Sequence, residues 1–278
     1  MDILKFVIFL CWSFSSLVAL ADSRYLKLID EADKAIGKGE YPRAVALLDE
    51  ALRLEPDNSG NVMLLSNIGM LSYYMGRDTM AINYLTMAHE MAPESVTILS
   101  NRAKVFSETG QFAPALRDFK TITQLDSTLY RPYLGMGVIY LTAGDTIQAR
   151  QALDRMKTLT DTSRSRECAA ALAWFDVLVG DNADAVTQYS ILIDLEPDAG
   201  LYAARAQSYV ALEYYTEASE DIAEGLKLDP ECAELYVARA FLNKRTYRND
   251  DALADAQRAV DLGADRARVR AIITGYGK

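Results

Sequence analysis

The residue types that commonly do chemistry are sparse in this chain. Among its 278 residues there is one histidine, His89, and there are three cysteines. A catalytic triad or a two-histidine metal site therefore has no candidate partner for His89. The sequence also lacks a phosphate-binding glycine loop, a dinucleotide fingerprint, a nucleophile elbow and a C-x-x-C pair. These observations predict a protein that is not an enzyme and that uses no cofactor and no metal.

Paired carboxylates are the remaining candidates for acid and base chemistry, because glycosidases use two such groups. They occur around Glu217 and Asp221, and at Asp250 and Asp251. Both groups fall near predicted helix starts, where a carboxylate interacts favourably with the positive end of the helix dipole. Helix capping and solubility explain them better than catalysis, although an enzyme that exploits acidic pairs stays open as a third hypothesis.

The charge of the chain bears on its partners. The formal net charge is −10, and no stripe of lysine and arginine appears. Binding to nucleic acid needs a concentrated positive field to neutralise phosphates, so nucleic acid is not an expected partner. The same charge disfavours anionic membrane surfaces. Proteins or peptides are the expected partners.

One spacing organises the whole chain. An alanine recurs seven times at intervals of 33 to 37 residues. The positions are Ala44, Ala81, Ala115, Ala149, Ala185, Ala218 and Ala252. Twelve residues before each of them stands another small residue, alanine or glycine. Two small residues at this separation allow two antiparallel helices to approach closely across a short turn. A fixed period of this length predicts a tandem array of helical hairpins.

Residues that favour turns and helix ends stand between the small residues and support the predicted hairpins. Five residues before the alanine, five units carry a glycine, as at Gly110 and Gly180, which suits a tight turn after the first helix. The last two units carry Glu213 and Tyr247 there, and Asn249 is expected to assist the turn. Several units end with a proline, which stops the second helix.

At this point the chain resembles the tetratricopeptide-repeat family. Leu99-x-x-Arg102-Ala103-x-x-Phe106…Gly110…Ala115 and Tyr202-x-x-Arg205-Ala206-x-x-Tyr209…Ala218…Pro230 are similar to its 34-residue pattern. The resemblance covers nearly all of residues 22–266. It implies an all-α fold, a right-handed superhelical α-solenoid of about seven helix-turn-helix repeats. The seven predicted repeats are 25–58, 62–95, 96–129, 130–163, 166–198, 199–232 and 233–266.

Both ends of the chain differ from the repeats. Residues 267–278 are predicted to form a capping helix and tail, in which Val269, Ile272 and Ile273 cover the last repeat while Arg268 and its neighbours face water. Residues 1–21 combine one lysine, an uncharged apolar run and an A-x-A site, which indicates a cleaved secretory signal peptide. We therefore expect an exported protein, periplasmic or secreted, of a Gram-negative bacterium, without direct membrane insertion after cleavage.

The resemblance also implies where a partner would bind. In this family the first helix of each repeat lines a concave groove, and carrying its positions over by register gives a mostly apolar and aromatic surface with basic residues near the end. The groove residues expected on this basis are Met63, Met70, Tyr73, Tyr74, Arg131, Leu134, Val138, Trp174, Val177, Phe241, Lys244 and Arg245. Each large apolar residue among them has the alternative of packing in the core.

These observations favour a non-catalytic interaction scaffold in the cell envelope that binds a peptide or helix in its groove. The alternative is a structural module that assembles with copies of itself, so a homo-oligomer stays open. Cys168 and Cys232 lie two repeats apart, and stacked helices are about 8–10 Å apart. That separation exceeds the roughly 7 Å between Cα atoms that a disulfide allows, so both are expected to be free thiols.

Overall fold

The computed structural model describes residues 24–161 and 165–274, and all regular structure in those residues is α-helical. Fifteen helices of this described part form seven consecutive hairpins and one further helix. The expected all-α fold with seven helix-turn-helix repeats is thereby confirmed. None of these helices has the length and apolar character needed to cross a membrane. The predicted signal peptide, residues 1–21, and the end of the predicted tail lie outside the described residues.

The chain divides into two compact units, with the boundary between Ala92 and Pro93. The first unit contains two hairpins, α1–α2 and α3–α4. Their helices are α1 (Arg24–Gly37), α2 (Tyr41–Leu54), α3 (Asn61–Tyr74) and α4 (Asp78–Met91). The core of this unit gathers one apolar face from each of α1, α2 and α3, including Leu28, Leu48 and Ile68.

The second unit contains the other five hairpins and the last helix. Its helices are α5 (Val96–Glu108), α6 (Phe112–Leu125), α7 (Tyr130–Thr142), α8 (Thr146–Leu159), α9 (Arg166–Val179), α10 (Asn182–Leu195), α11 (Ala199–Ala211), α12 (Tyr215–Leu228), α13 (Ala233–Arg245), α14 (Asn249–Asp261) and α15 (Arg266–Thr274). Within this unit the two helices of each hairpin pack on each other, each hairpin packs on the next one, and α15 packs on α13 and α14.

The recurring alanines form the contact between the two helices of each hairpin. All seven are fully buried, at no more than 1 % exposure. The small residues twelve positions earlier are buried as well, and two of them must be glycine. A Cβ atom on Gly69 would lie 2.6 Å from Leu85 Cγ, and one on Gly137 would lie 2.7 Å from Leu153 Cδ2. The expected role of the small residues in close helix packing is therefore confirmed.

The turn inside each hairpin needs one residue in the left-handed conformation. Gly39, Gly76, Gly110, Gly144 and Gly180 adopt it with φ between 71° and 80°. In the last two hairpins Glu213 and Tyr247 adopt it themselves, with φ of 65° and 61°. Asn249 does not form part of this turn, contrary to expectation, because it is the first residue of α14. These two turns therefore keep the geometry of the others without glycine.

Helix α15 closes the second unit. Val269 is buried in a cluster with Val237 and Ala240 of α13, as expected for a helix that covers the last hairpin. The side chains of Ile272 and Ile273 lie outside the described part of the chain. Arg268 was expected simply to face water, but its guanidinium pairs with Glu234 at 2.9 Å and donates to Gln207 Oε1 at 3.3 Å. This ion pair therefore ties α15 to α13.

Candidate functional site

Helix α9 presents two different faces. On one side Trp174, Val177 and Leu178 follow the spacing of a single helix face and are 43–47 % exposed. On the other side Phe175 and Asp176 are buried against the rest of the second unit. The three exposed side chains, called the α9 face below, form a contiguous apolar surface on a rigid helix.

The same register on the neighbouring helices does not give such a surface. Val177 corresponds to Leu141 of α7 and Val210 of α11, which are 3 % and 0 % exposed. In α13 the corresponding residue is Lys244. Of the first helices in the second unit, α9 is thus the one whose residues at the register of Trp174, Val177 and Leu178 are all large, apolar and exposed.

Charged residues stand at the start of α9. Glu167 lies 3.8 Å from Arg131 of α7, and Arg166 lies 3.3 Å from Glu196 beyond α10. Both pairs are largely exposed to solvent, so they contribute little to stability. Charged side chains therefore stand at the amino-terminal end of the helix that carries the α9 face, and an apolar centre with a polar rim is the usual anatomy of a protein-interaction surface.

Two of the residues expected to line the groove belong to the core instead. Met70 of α3 is 2 % exposed and Leu134 of α7 is 9 % exposed. Leu134 packs against the cluster that contains Leu153 and Phe175, and Val138 packs against the same cluster while remaining half-buried. The sequence register predicted Met70 and Leu134 as groove residues. In the structure both are buried, because neighbouring side chains pack over them.

The first unit carries the aromatic part of the expected surface. Met63 is 36 % exposed, whereas Tyr73 and Tyr74 are half-buried. The ring of Tyr74 lies 5.5 Å from that of Tyr73 and 6.4 Å from that of Tyr41 in α2. These tilted ring contacts hold Tyr74 within its own unit, so Met63 and the edge of Tyr73 are the parts open to a partner.

The basic residues expected near the end of the surface lie on α13. Arg245 pairs with Glu213 at 3.2 Å, and the Lys244 ammonium donates to Asn249 Oδ1 at 3.2 Å. Phe241 is half-buried and packs on the core formed by α11 and α12. This region is therefore largely occupied by contacts within the second unit, unlike the α9 face.

Sequence reasoning missed a set of ion pairs inside three hairpins. Their partners are Arg102 and Asp118, Arg205 and Asp221, and Arg239 and Asp255, joined at 2.6–2.7 Å. Each arginine directly precedes the small residue of the first helix, and each aspartate follows the alanine of the second helix by three positions. This constant separation of sixteen residues was the available signal. The pairs fasten the two helices of a hairpin together.

Sequence reasoning also missed Asp176. Burial, reinforced by the nearby Asp184 and Asp181 carboxylates, raises the pKa of Asp176 from 3.8 to about 6. Lys157 and Arg150 of α8 oppose this rise and do not cancel it. Helix α10 of the same hairpin also buries Gln188, whose Oε1 has no hydrogen-bond donor among the described residues. The α9–α10 hairpin thus contains buried polar groups without full hydrogen bonding.

Metal and thiol chemistry find little support in the described residues. No group of three or more histidine, cysteine, aspartate or glutamate side chains within 24–161 and 165–274 is placed to hold a metal ion. Cys168 and Cys232 are free thiols. Burial raises the pKa of the Cys168 thiol, which lowers its reactivity.

The geometry defines a repeat protein built of helical hairpins, in which α9, the first helix of its hairpin, exposes an apolar face. Comparison with known proteins agrees with this class. The family model "Tetratricopeptide repeat" matches residues 199–232, which cover α11 and α12. A crystal structure of a tetratricopeptide repeat protein from Parabacteroides merdae is 25 % identical, with a TM-score of 0.65 over 90 % of this chain and 98 % of that one. Residues 199–232 thus match a tetratricopeptide repeat, and the chain is similar to a tetratricopeptide repeat protein over most of its length.

Other known proteins are similar to this chain in sequence or in fold. Rat mitochondrial import receptor subunit TOM34 is 25 % identical over 69 % of this chain and 76 % of its own length. The crystal structure of PilW, described as a type IV pilus biogenesis factor, is 19 % identical, with a TM-score of 0.64 over 77 % of this chain and 98 % of that one. YrrB, described as having an unusual peptide-binding site, is 17 % identical, with a TM-score of 0.58 over 69 % of this chain and 96 % of that one. The fold shared with PilW and YrrB is an array of helical hairpins.

Proposed function

We propose that this protein is a non-catalytic scaffold that binds a peptide or an amphipathic helix of a partner protein on the α9 face. The observation that carries the proposal is the exposure of Trp174, Val177 and Leu178 together on one rigid helix. Large apolar and aromatic side chains at the centre of a surface with a polar border are typical binding anchors. The PilW and YrrB similarities support a scaffold role through their shared fold.

The occupant is expected to present its own apolar stripe. Burying Trp174 and its two neighbours stabilises a complex by roughly 25 cal/mol for each Å² of apolar surface removed from water. A partner helix with apolar residues three and four positions apart matches the spacing of the three α9 side chains. Half-buried Val138 of α7 belongs to the same expected surface of the second unit.

We also propose that the scaffold acts in the cell envelope of a Gram-negative bacterium, after export. The composition of residues 1–21 supports this location. Fractionation of cells that produce the full chain, followed by mass analysis of the N-terminus, tests it. Export predicts a periplasmic or secreted protein that begins at Asp22. A full-length chain that stays in the cytoplasm would contradict it.

The binding proposal is tested by placing a photo-crosslinking amino acid at Leu178 in one protein and at Ile147 in another. Ile147 lies on α8 and is 70 % exposed, so it is a matched exposed apolar position away from α9. We expect the same partner to crosslink at 178 and not at 147. The double variant Trp174→Ala, Val177→Ser should reduce the crosslink at least about tenfold, because several kcal/mol of anchor burial are lost. Equal crosslinking at both positions, or no effect of a folded double variant, would overturn the proposal.

A further inference from the structure

A cavity of about 320 Å³ lies between α12, α13 and α14, away from the α9 face. Its apolar lining comes from Ile222, Leu242 and Ala254. Its polar lining includes two arginines, Arg239 and Arg248. Small-molecule sites in proteins have volumes of roughly 300 to 1,000 Å³, so this cavity suits a small ligand.

The cavity lies at a register where three of the other hairpins place an aromatic ring. Nine residues before the recurring alanine these hairpins have Phe106, Tyr140 and Tyr209, whereas the last hairpin has Asn243 and the α9–α10 hairpin has Asp176. Tyr209 packs against the core that Ile222 and Val210 share. Asparagine is much smaller than tyrosine, and its amide donates to Asp255 Oδ2 at 2.8 Å. The space of an aromatic side chain therefore stays open and acquires a polar wall.

Arg239 differs from its counterpart Arg205 at this wall. Both arginines bind the aspartate of their hairpin through Nε and Nη2. Arg205 also donates from Nη1 to Ser190 Oγ at 2.9 Å, whereas Ala223 occupies the position that corresponds to Ser190 one repeat later. The Nη1 group of Arg239 has no acceptor among the described residues. Its side chain is also more exposed, at 38 % against 17 %.

Two residues of opposite charge, Arg248 and Asp251, lie at the rim of the cavity. Arg248 is the N-cap residue of α14, and its Nε donates to Thr246 Oγ1 at 3.3 Å, which leaves both terminal nitrogens of the guanidinium for a ligand. Asp251 lies one turn into α14. The charge of Asp255 is compensated by Arg239 and Asn243 inside the wall. The charged groups open to a ligand are therefore two guanidinium edges, which donate, and one carboxylate, which accepts; the Ser219 hydroxyl also lines the cavity.

We propose that this cavity binds a small organic acid that carries a hydrogen-bond donor beside its carboxylate, such as a free α-amino acid with an apolar side chain. Arg248 and the open edge of Arg239 hold the ligand carboxylate. Asp251 accepts from the neighbouring amino group. Ile222, Leu242 and Ala254 contact the apolar side chain. This binding site is distinct from the proposed protein-binding face on α9.

The proposal is tested by calorimetric titration of the full-length protein with three compounds of one skeleton. The compounds are l-leucine, 4-methylpentanoate, which lacks the amine, and l-leucinamide, which lacks the carboxylate. We expect saturable binding of l-leucine, weaker binding of 4-methylpentanoate and no binding of l-leucinamide. No saturable response to any of them, or equal affinity for l-leucine and l-leucinamide, would overturn the proposal.

Three variants test whether the measured binding takes place in the cavity. Asn243→Tyr restores the ring found at Tyr209 and should abolish binding by filling the space. Arg248→Gln removes one exposed charge at the rim without touching the core and should weaken binding at least about tenfold, because a charge-assisted hydrogen bond is lost. Lys227→Gln removes an equal charge from α12 outside the cavity and should leave affinity unchanged. Binding that survives Arg248→Gln, or that falls equally in Lys227→Gln, would contradict the assignment.

Discussion

Two hairpins of the second unit bury a polar side chain at the register where their neighbours have a half-buried aromatic one. Asp176 occupies this position in α9 and Asn243 occupies it in α13, whereas α7 and α11 have Tyr140 and Tyr209. The two polar residues have different surroundings. Asn243 donates to Asp255, which Arg239 also binds, so the groups are mutually compensated. Asp176 is buried with two further carboxylates nearby, and the same hairpin buries Gln188, whose Oε1 has no donor among the described residues.

The difference shows that the repeat tolerates a buried polar residue in two ways. In the α13–α14 hairpin, charge and hydrogen bonds are balanced within the chain, as buried polar networks require. In the α9–α10 hairpin a carboxylate can only accept, and Gln188 Oε1 can only accept as well. Burial, reinforced by the Asp184 and Asp181 carboxylates, raises the pKa of Asp176 and so disfavours its charged form. The hairpin that carries the exposed α9 face is thus also the hairpin with the less satisfied interior.

The largest effect is expected from breaking the balanced network. Asp255→Ala removes the partner of both Arg239 and Asn243 and leaves them partly buried without an acceptor. We expect the free energy of opening of the α13–α14 hairpin to fall by about 3 kcal/mol or more, as for other buried pairs that lose one member. Hydrogen exchange of the α13 and α14 amides measures it. Asp194→Ala, at an exposed position of α10, is the control and should change little.

The next effect is a pH dependence confined to the other hairpin. The pKa of Asp176 in the folded state lies above its unfolded value of 3.8, at about 6. The stability linked to this group is therefore complete below about pH 4 and is lost as the pH rises through about 6, by up to roughly 3 kcal/mol. Hydrogen exchange of α9 and α10 between pH 4 and 8 measures the loss, and carboxyl NMR measures the pKa.

Asp176→Asn is the matching variant, because it stays neutral at every pH. We expect it to be more stable than the parent at pH 8 and to lose the pH dependence in α9 and α10. An Asp176 carboxyl that titrates near 4 in the parent protein, or an Asp176→Asn variant that is less stable at pH 8, would show that burial does not dominate at this site.

A smaller difference in stability is expected between substitutions of Gln188 and Asn243, the buried amide side chains of the two hairpins. Gln188→Leu removes a buried acceptor that lacks a donor, so stability should stay the same or rise by up to about 1 kcal/mol. Asn243→Leu removes a donor to a buried carboxylate, so stability should fall by about 1–2 kcal/mol. Urea denaturation followed by hydrogen exchange in each hairpin gives both values. Equal losses in the two variants would mean that the two interiors do not differ as described.

The smallest effect concerns the hairpin turns. Tyr247 and Glu213 hold a left-handed conformation that glycine adopts at less cost. Tyr247→Gly should therefore stabilise its hairpin by up to about 1 kcal/mol, while Gly180→Ala, in the turn between α9 and α10, should destabilise that hairpin by a similar amount. Thermal melting of the single variants compares them. A loss of stability in Tyr247→Gly would indicate that the tyrosine ring contributes packing that outweighs the turn strain.

Much of the fold was predictable from local spacing. The contact inside a hairpin joins residues only twelve positions apart, so small residues at that separation are visible in the sequence. Gly69 and Gly137 were identified in this way, and each proves to face a leucine of its partner helix. The turns at Glu213 and Tyr247 were located correctly, but their conformation was not, because a non-glycine residue in the left-handed region gives no sequence signal.

The candidate site was predictable only in part. Register correctly indicated Trp174 and Val177 as exposed positions, but it also indicated Met70 and Leu134, which are buried. The exposure of a first-helix residue depends on how closely the next hairpin packs, and the residue type does not report that distance. The raised pKa of Asp176 depends likewise on carboxylates brought together by the turn between α9 and α10.

The sequence by itself determined the repeat, because the close contact within each hairpin requires small residues at two positions that recur with the period of the chain. It also determined the register, and hence which residues could lie on one helix face. Only the tertiary structure decided which of those residues meet solvent. Val177 and Val210 are the same residue type at the same register, yet one is 47 % exposed and the other is fully buried. Burial depends on neighbouring hairpins, and no local pattern contains that information.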